Sequence, residues 1–330
     1  MSEMTYGQAV RWTLDRLMTE DERVFLLGED IGVYGGAFGV TLGLLEKFGP
    51  ERVRDTPIAE AGIVGAAIGA ALVGMRPIAE MQFSDFIMNA MDMIVNQAAK
   101  IHFMFGGQME VPIVVRGPAG GGTGAAAQHS QSLEAWFYHV PGLKVVMPAT
   151  AEDARGLLVA AVRDPNPVIF FEHKLLYGLR STVNETLEEI PLGRATVYQG
   201  GSDATLVTYS YMLHPALEAQ RRLRDEDDIH LTVIDLRSLV PLDIDAVTQS
   251  VTTTGRLIVL HEAVERGGVG ADIAAQVAAG IAFDYLDAPI LRIAARNVPI
   301  PYSPNLERAV IPNVERIVAD IRHWWKGHAV

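Results

Sequence analysis

Short apolar runs alternate with helix-like segments along almost the whole chain, and this alternation limits the fold more than any other feature. Val24 to Leu27, Ile113 to Arg116, Leu143 to Met147 and Val168 to Phe171 are short and largely apolar, the pattern of strands buried on both faces. Helical spacing lies between them, in Glu60 to Val73, Asp85 to His102 and Ala151 to Val162. Tyr6 to Met18 precedes the series, with Ala9, Val10, Leu14, Leu17 and Met18 at helical spacing and Thr5 placed to cap it. Strands that alternate with helices predict a parallel sheet covered on both sides. The order resumes with Thr205 to Tyr209, a helix from His214 to Leu223, then Leu231 to Leu236 and Leu257 to His261. A helix after Gly270 follows, and Leu306 to Trp325 reads as a final one. The polar, acidic stretch from Leu179 to Asp203 separates the two series and predicts a boundary. At about 100–200 residues per domain, 330 residues suit two α/β domains, here 1–188 and 189–330.

Composition narrows the chemistry. There is no cysteine, which removes disulfides, thiolate metal sites and cysteine nucleophiles. A net charge of -13 opposes binding to nucleic acid or to an anionic membrane. The opening MSEMTYGQAVRW lacks a charged-then-apolar leader pattern, and no apolar run reaches about 18 residues. A cytoplasmic protein with neither membrane nor nucleic-acid partners is expected.

Three glycine clusters invite functional readings. RGPAGGGTGAAAQHS, Arg116 to Ser130, follows a strand but lacks the Gly-Lys-Ser/Thr of a nucleoside-triphosphate loop. GGVGADI, Gly267 to Ile273, lacks the third glycine of the dinucleotide fingerprint, and a nicotinamide-binding oxidoreductase would rest on it alone. The third, EAGIVGAAIGAALVG from Glu60 to Gly74, is helical, although each glycine costs about 1 kcal/mol against alanine inside a helix. Its glycines suit either ordinary packing on the sheet or the close approach of another helix, as between subunits. Glu60, at the mouth of that helix, either complements the helix dipole or serves as a buried acid or base.

Glu60, four residues, Gly65, an apolar residue, two more and Gly69 match the motif of the pyrimidine-binding domain of thiamine-diphosphate enzymes. More specifically, the chain resembles the beta subunit of the decarboxylating component of 2-oxo acid dehydrogenase complexes, within the transketolase-like family. GEDIGVYGGAFGVT (Gly28 to Thr41), ERVRDTPIAEAGIVGAAIGAALVGMRPIAE (Glu51 to Glu80), AAQHSQSLEAWF (Ala126 to Phe137) and PGLKVVMPAT (Pro141 to Thr150) carry the likeness. RDPNPVIFFEHKLLYG (Arg163 to Gly178), VIDLRSLVPLD (Val233 to Asp243), HEAVERGGVGADI and VPIPYSP (Val298 to Pro304) extend it over nearly the whole chain. The resemblance implies an α/β fold: a parallel-sheet pyrimidine-binding domain, then a smaller transketolase C-terminal-like domain.

It also implies roles. In the family, the glutamate at the position of Glu60 hydrogen-bonds a ring nitrogen of the aminopyrimidine and promotes loss of the thiazolium carbon proton. Phe86 matches the aromatic that lies against the pyrimidine; read alone, it is a core phenylalanine. His129 matches a histidine at the active-site channel, thought to assist substrate binding or acyl transfer to lipoamide. His173 and His261 read as structural. Some members hold potassium on backbone carbonyls at the positions of Ile113, Ala161, Val162, Asp164 and Asn166, where the bare sequence reads as a turn. The Gly-Asp-Gly and distant asparagine that hold magnesium and diphosphate are missing, since Gly28-Glu29-Asp30 is not that motif. An alpha subunit is therefore expected to hold magnesium and the diphosphate in an alpha-two beta-two heterotetramer, with a lipoyl acyltransferase core as a further partner. The implied reaction is oxidative decarboxylation of a 2-oxo acid with acyl transfer to a lipoyl carrier. Pyruvate is the first choice, acetoin dehydrogenase the next, branched-chain 2-oxo acids the third, and a non-catalytic assembly subunit the rival from another class.

Overall fold

The structure, a computed structural model, describes residues 2–184, 186, 188–198 and 200–328. They form two compact units, Met1–Ala119 with Trp136–Leu192, and Gly120–Ala135 with Gly193–Val330. By its contacts, the segment Gly120–Ala135, which carries His129, groups with the second unit.

In the first unit six parallel strands lie in the order Lys144–Val146, Val168–His173, Val114–Ala119, Arg76–Glu80, Val24–Gly28 and Val53–Asp55. Val24–Gly28, Val114–Ala119 and Val168–His173 are buried at every position, as helices on both faces of a parallel sheet require. The helix Tyr6–Glu20 begins in a reciprocal capping box between Thr5 and Gln8 and packs on Ala151–Arg163, which is capped by Thr150. Arg76–Glu80 is a central strand that the sequence reading missed. Pro77 lies within it, opposite Phe25, and a proline ordinarily argues against a central strand because it cannot donate to the ladder.

The expected helix Asp85 to His102 is not one regular helix. Ser84–Ala90 winds as a 3-10 helix, Asp92–Ala98 as a π-helix, and only Ala99–Met104 is α-helical. The first two pack on the glycine-rich helix Glu60–Leu72, where Met93 Sδ lies 3.5 Å from the position a Cβ on Gly65 would take. Short 3-10 and π segments often mark functional sites.

The second unit carries strands in the order Leu291–Ala295, Leu257–Val264, Ala204–Thr208, Leu231–Asp235 and Thr196–Tyr198, parallel except for the last. The single C-terminal helix expected from Leu306 to Trp325 is two, Pro304–Val310 and Val314–His328. Pro312 separates them, because it lacks an N–H and disfavours helical backbone at the residue before it.

Candidate active site

Chain order reverses around Val24–Gly28: the next strand, Val53–Asp55, flanks it on one side, and the one after, Arg76–Glu80, on the other. Such a reversal opens a crevice outside the carboxyl ends of the strands. Glu60 stands at that end, as the first residue of Glu60–Leu72, and is only 8% exposed. No side chain caps this helix, and among the described residues the Glu60 carboxylate takes part in no hydrogen bond. The turn before it is tied to the first strand. Thr56 N–H donates to the Gly28 carbonyl at 3.0 Å, and Gly32 N–H donates to Asp55 Oδ1 at 2.6 Å.

That tie brings Glu29 beside Glu60, a pairing the sequence reading passed over when it dismissed Gly28-Glu29-Asp30. Glu29 is buried, and burial pushes its carboxyl above the usual range, with the negative charges of Glu60 and Asp30 adding to the shift. Two carboxylates are thus coupled at the crevice, one holding its proton more tightly than usual. Perturbed groups of this kind cluster at functional sites.

Phe86 lies half-buried in Ser84–Ala90, a segment packed against the Glu60 helix. Its ring meets Phe83 edge-on at 6.2 Å, Phe83 meets Phe38 at 5.9 Å, and Phe38 stacks on Tyr177 at 4.9 Å. This aromatic series fastens the loop after the first strand over neighbouring strand ends. Beneath it, Arg116 is 2% exposed and makes a bidentate pair with Glu172, at 2.6 and 2.7 Å, and a second pair with Glu80. The two carboxylates hold the guanidinium firmly charged, although burial opposes them. Three adjacent strands are pinned together by this triad.

Among the positions matched to a potassium site, Ile113 and the turn 164–168 are adjacent: Val168 N–H donates to the Ile113 carbonyl at 2.9 Å, and Val111 N–H to that of Pro165 at 3.0 Å. Ala161 and Val162 lie in the last turn of Ala151–Arg163, where helix carbonyls lack intrahelical donors and carry partial negative charge. The Arg76 guanidinium already uses part of this set, donating to the Val162 carbonyl at 2.6 Å and to that of Asp164 at 3.4 Å. Each carbonyl keeps a second lone pair, so acceptor capacity remains beside the guanidinium and beside the Lys144 ammonium that pairs with Asp164. Asn166 N–H donates to Asp164 Oδ1 at 2.9 Å, which fixes the turn. Among the described residues, no group of three or more His, Cys, Asp or Glu could hold a metal ion.

His129, in the second unit, is half-buried on the loop Gly120–Ala135, its N–H donating to the Ala126 carbonyl at 3.3 Å. The glycines ahead of it are not a phosphate loop. Their N–H groups point at the chain's own carboxylates: Gly121 to Glu262 at 2.6 Å, Gly122 and Gly124 to the two oxygens of Glu307 at 2.7 and 3.2 Å. The other glycine cluster is packing. A Cβ on Gly268 or Gly270 would come within 2.6 Å of the His261 ring, so both must stay bare. His261 is fully buried and stacked on Tyr209, and its pKa is lowered to about 4 by burial; it is structural. A nicotinamide-binding reading loses its one motif.

Residues 2–180 match the transketolase pyrimidine binding domain, and residues 193–317 the transketolase C-terminal domain. The pyruvate dehydrogenase E1 component subunit beta of Rickettsia bellii is 48% identical, over 97% of this chain and 98% of that one. The 2-oxoisovalerate dehydrogenase subunit beta of Bacillus subtilis is 47% identical, over 98% of each. A solved split-gene transketolase in an inactive beta4 tetramer superimposes with a TM-score of 0.82, covering 98% of this chain and 99% of that one; at 23% identity it speaks to the fold alone. Among the described residues, no helix is long and apolar enough to cross a membrane. The chain belongs to the transketolase-like family of beta subunits of the first component of 2-oxo acid dehydrogenase complexes, whose membership implies thiamine diphosphate as cofactor.

Proposed function

We propose that this chain is the beta subunit of a pyruvate dehydrogenase, acting in oxidative decarboxylation with transfer of the acyl group to a lipoyl carrier. One structural observation carries the reading: Glu60, nearly buried at the carboxyl edge of the sheet beside Glu29, takes part in no hydrogen bond among the described residues. A cofactor's aminopyrimidine is the kind of group that would answer it. Thiamine diphosphate, when bound, supplies the electron sink for loss of carbon dioxide, and the protein supplies orientation and proton handling. Glu60 holds a proton against the pyrimidine ring, Phe86 offers a flat apolar face, and His129 assists substrate binding or acyl transfer.

The magnesium–diphosphate motif is missing from the sequence, so an alpha subunit holds that end, in an alpha-two beta-two assembly that serves a lipoyl acyltransferase core. The glycine-rich helix supports such an interface. A Cβ on Gly69 would meet nothing within 4 Å, so no neighbour among the described residues explains a glycine there. Potassium is proposed on the backbone oxygens of Ile113, Ala161, Val162, Asp164 and Asn166. Replacing potassium by sodium should then lower the melting temperature; identical melting curves remove that ion from the account.

The likeness to the Bacillus subtilis protein keeps branched-chain substrates as the second reading. With the alpha partner and thiamine diphosphate present, carbon dioxide release should be fastest from pyruvate, slower from 2-oxoisovalerate, and dye reduction with acetoin slower still. Preference for either alternative overturns the pyruvate assignment. No turnover with any of them favours a non-catalytic subunit.

A further inference from the structure

The loop Gly120–Ala135 is joined to the second unit by carboxylates that have no counterpart in the chemistry described so far. Successive N–H groups of a glycine-rich turn make a nest that attracts anions. Here Glu262 Oε1 accepts from Gly121 N–H at 2.6 Å and from Ser132 Oγ at 3.3 Å. Glu307 places Oε1 on Gly122 N–H at 2.7 Å and Oε2 on Gly124 N–H at 3.2 Å. Both carboxylates are buried, 8% and 4% exposed, and both come from rigid elements, the strand Leu257–Val264 and the helix Pro304–Val310. The strand's register shifts between Leu260 and Val264, and Glu262 lies inside that irregularity, the kind of feature that re-aims a side chain. Ile311 closes the contact from the apolar side, with its Cδ1 2.5 Å from where a Cβ on Gly121 would stand.

These bonds fix the loop on both sides of its histidine, at residues 121–124 and at Ser132. We infer that Glu262 and Glu307 are positioning residues that hold the 120–135 loop so that His129 is presented in one orientation for substrate binding or acyl transfer. The inference rests on the proposed role of His129. It also accounts for three of the glycines: Gly121 leaves room for Ile311, and Gly122 and Gly124 adopt the left-handed backbone (φ 86° and 68°) in which their N–H groups reach Glu307. The two glutamates are not equivalent. Glu307 uses both oxygens as acceptors, so Glu307→Gln sets a side-chain NH₂ against one backbone N–H. The two Glu262 bonds to the loop named above both fall on Oε1, an acceptor oxygen that Glu262→Gln keeps.

The test uses the full holoenzyme with its alpha partner. Hydrogen exchange is followed across residues 120–132, and activity is measured both by acylation of a lipoyl domain and with an artificial electron acceptor that needs no acyl transfer. Glu307→Gln should speed exchange of the Gly122 and Gly124 amides by about tenfold or more, the usual weight of a charge-assisted bond. Glu262→Gln should change it less. Lipoyl acylation should fall with Glu307→Gln, the artificial-acceptor rate should follow it only as far as it does in His129→Ala, and adding the change to His129→Ala should cost nothing further. Unchanged exchange overturns the clamp. A loosened loop with full acylation, in an enzyme where His129→Ala does lose acylation, overturns the positioning role. Full acylation in His129→Ala instead removes the histidine's own assignment, and with it the positioning role, while the exchange data still decide the clamp.

Discussion

Gly69→Leu separates the internal role of the glycine-rich helix from its external one. Gly69 sits inside Glu60–Leu72 on an exposed face, and a Cβ there would meet nothing within 4 Å. The isolated chain should therefore tolerate the larger side chain. Leucine is a far better helix former, so the substitution should stabilise the isolated chain by up to about 1 kcal/mol. For a unit of this size that is roughly 2–4 °C in melting temperature. The assembled protein should behave in the opposite sense. Overpacking a tight helix–helix contact costs typically about 1–3 kcal/mol, equivalent to roughly 5–150-fold in affinity for the alpha partner. Melting of the isolated chain and sedimentation of the mixture with the alpha subunit read both effects. A variant that is less stable alone, or that assembles as tightly as the parent, refutes the reasoning.

Two further outcomes follow from buried charge. Arg116→Met strands Glu80 and Glu172 in the interior and should lower the stability of the isolated chain in urea by about 3–5 kcal/mol; a loss below about 1 kcal/mol means the triad is not a structural pin. His261 is held neutral when folded, with a pKa near 4 against 6.5. Its pKa is depressed on folding, so the unfolded chain binds the proton first, and stability is lost as pH falls from about 6.5 to about 4, by about 3 kcal/mol in all. His261→Phe should flatten the stability profile across that window, and an unchanged slope assigns the loss to other groups.

The sequence was most informative where structure is local. Thr5 caps the helix its position foretells, and the glutamate–glycine motif marked the helix that opens at the crevice. It was least informative where geometry overrides pattern. Pro77 disguised a central strand, and the helical period of 85–102 gave no sign of the 3-10 and π winding that follows the glycine-rich helix. Pairings across long separations left no local trace. The glycines of the 120–135 loop read as a failed phosphate loop because their anions are side chains 141 and 185 residues away. Glu29 was hidden differently: its importance lies in its nearness to Glu60, which only the folded crossover connection creates.

The central claim is that Glu60 activates the cofactor, and the exchange rate of the thiazolium carbon proton in deuterated water tests it most directly. With the alpha partner, magnesium and thiamine diphosphate present, the parent should exchange that proton rapidly. Glu60→Gln keeps the shape but removes the carboxylate, so exchange and turnover should fall together by about 10²–10⁴, the range for a positioned acid–base group. Assembly and cofactor affinity should change much less. If the variant exchanges the proton as fast as the parent and loses only thermal stability, Glu60 is a helix-dipole partner and the account of the site is wrong.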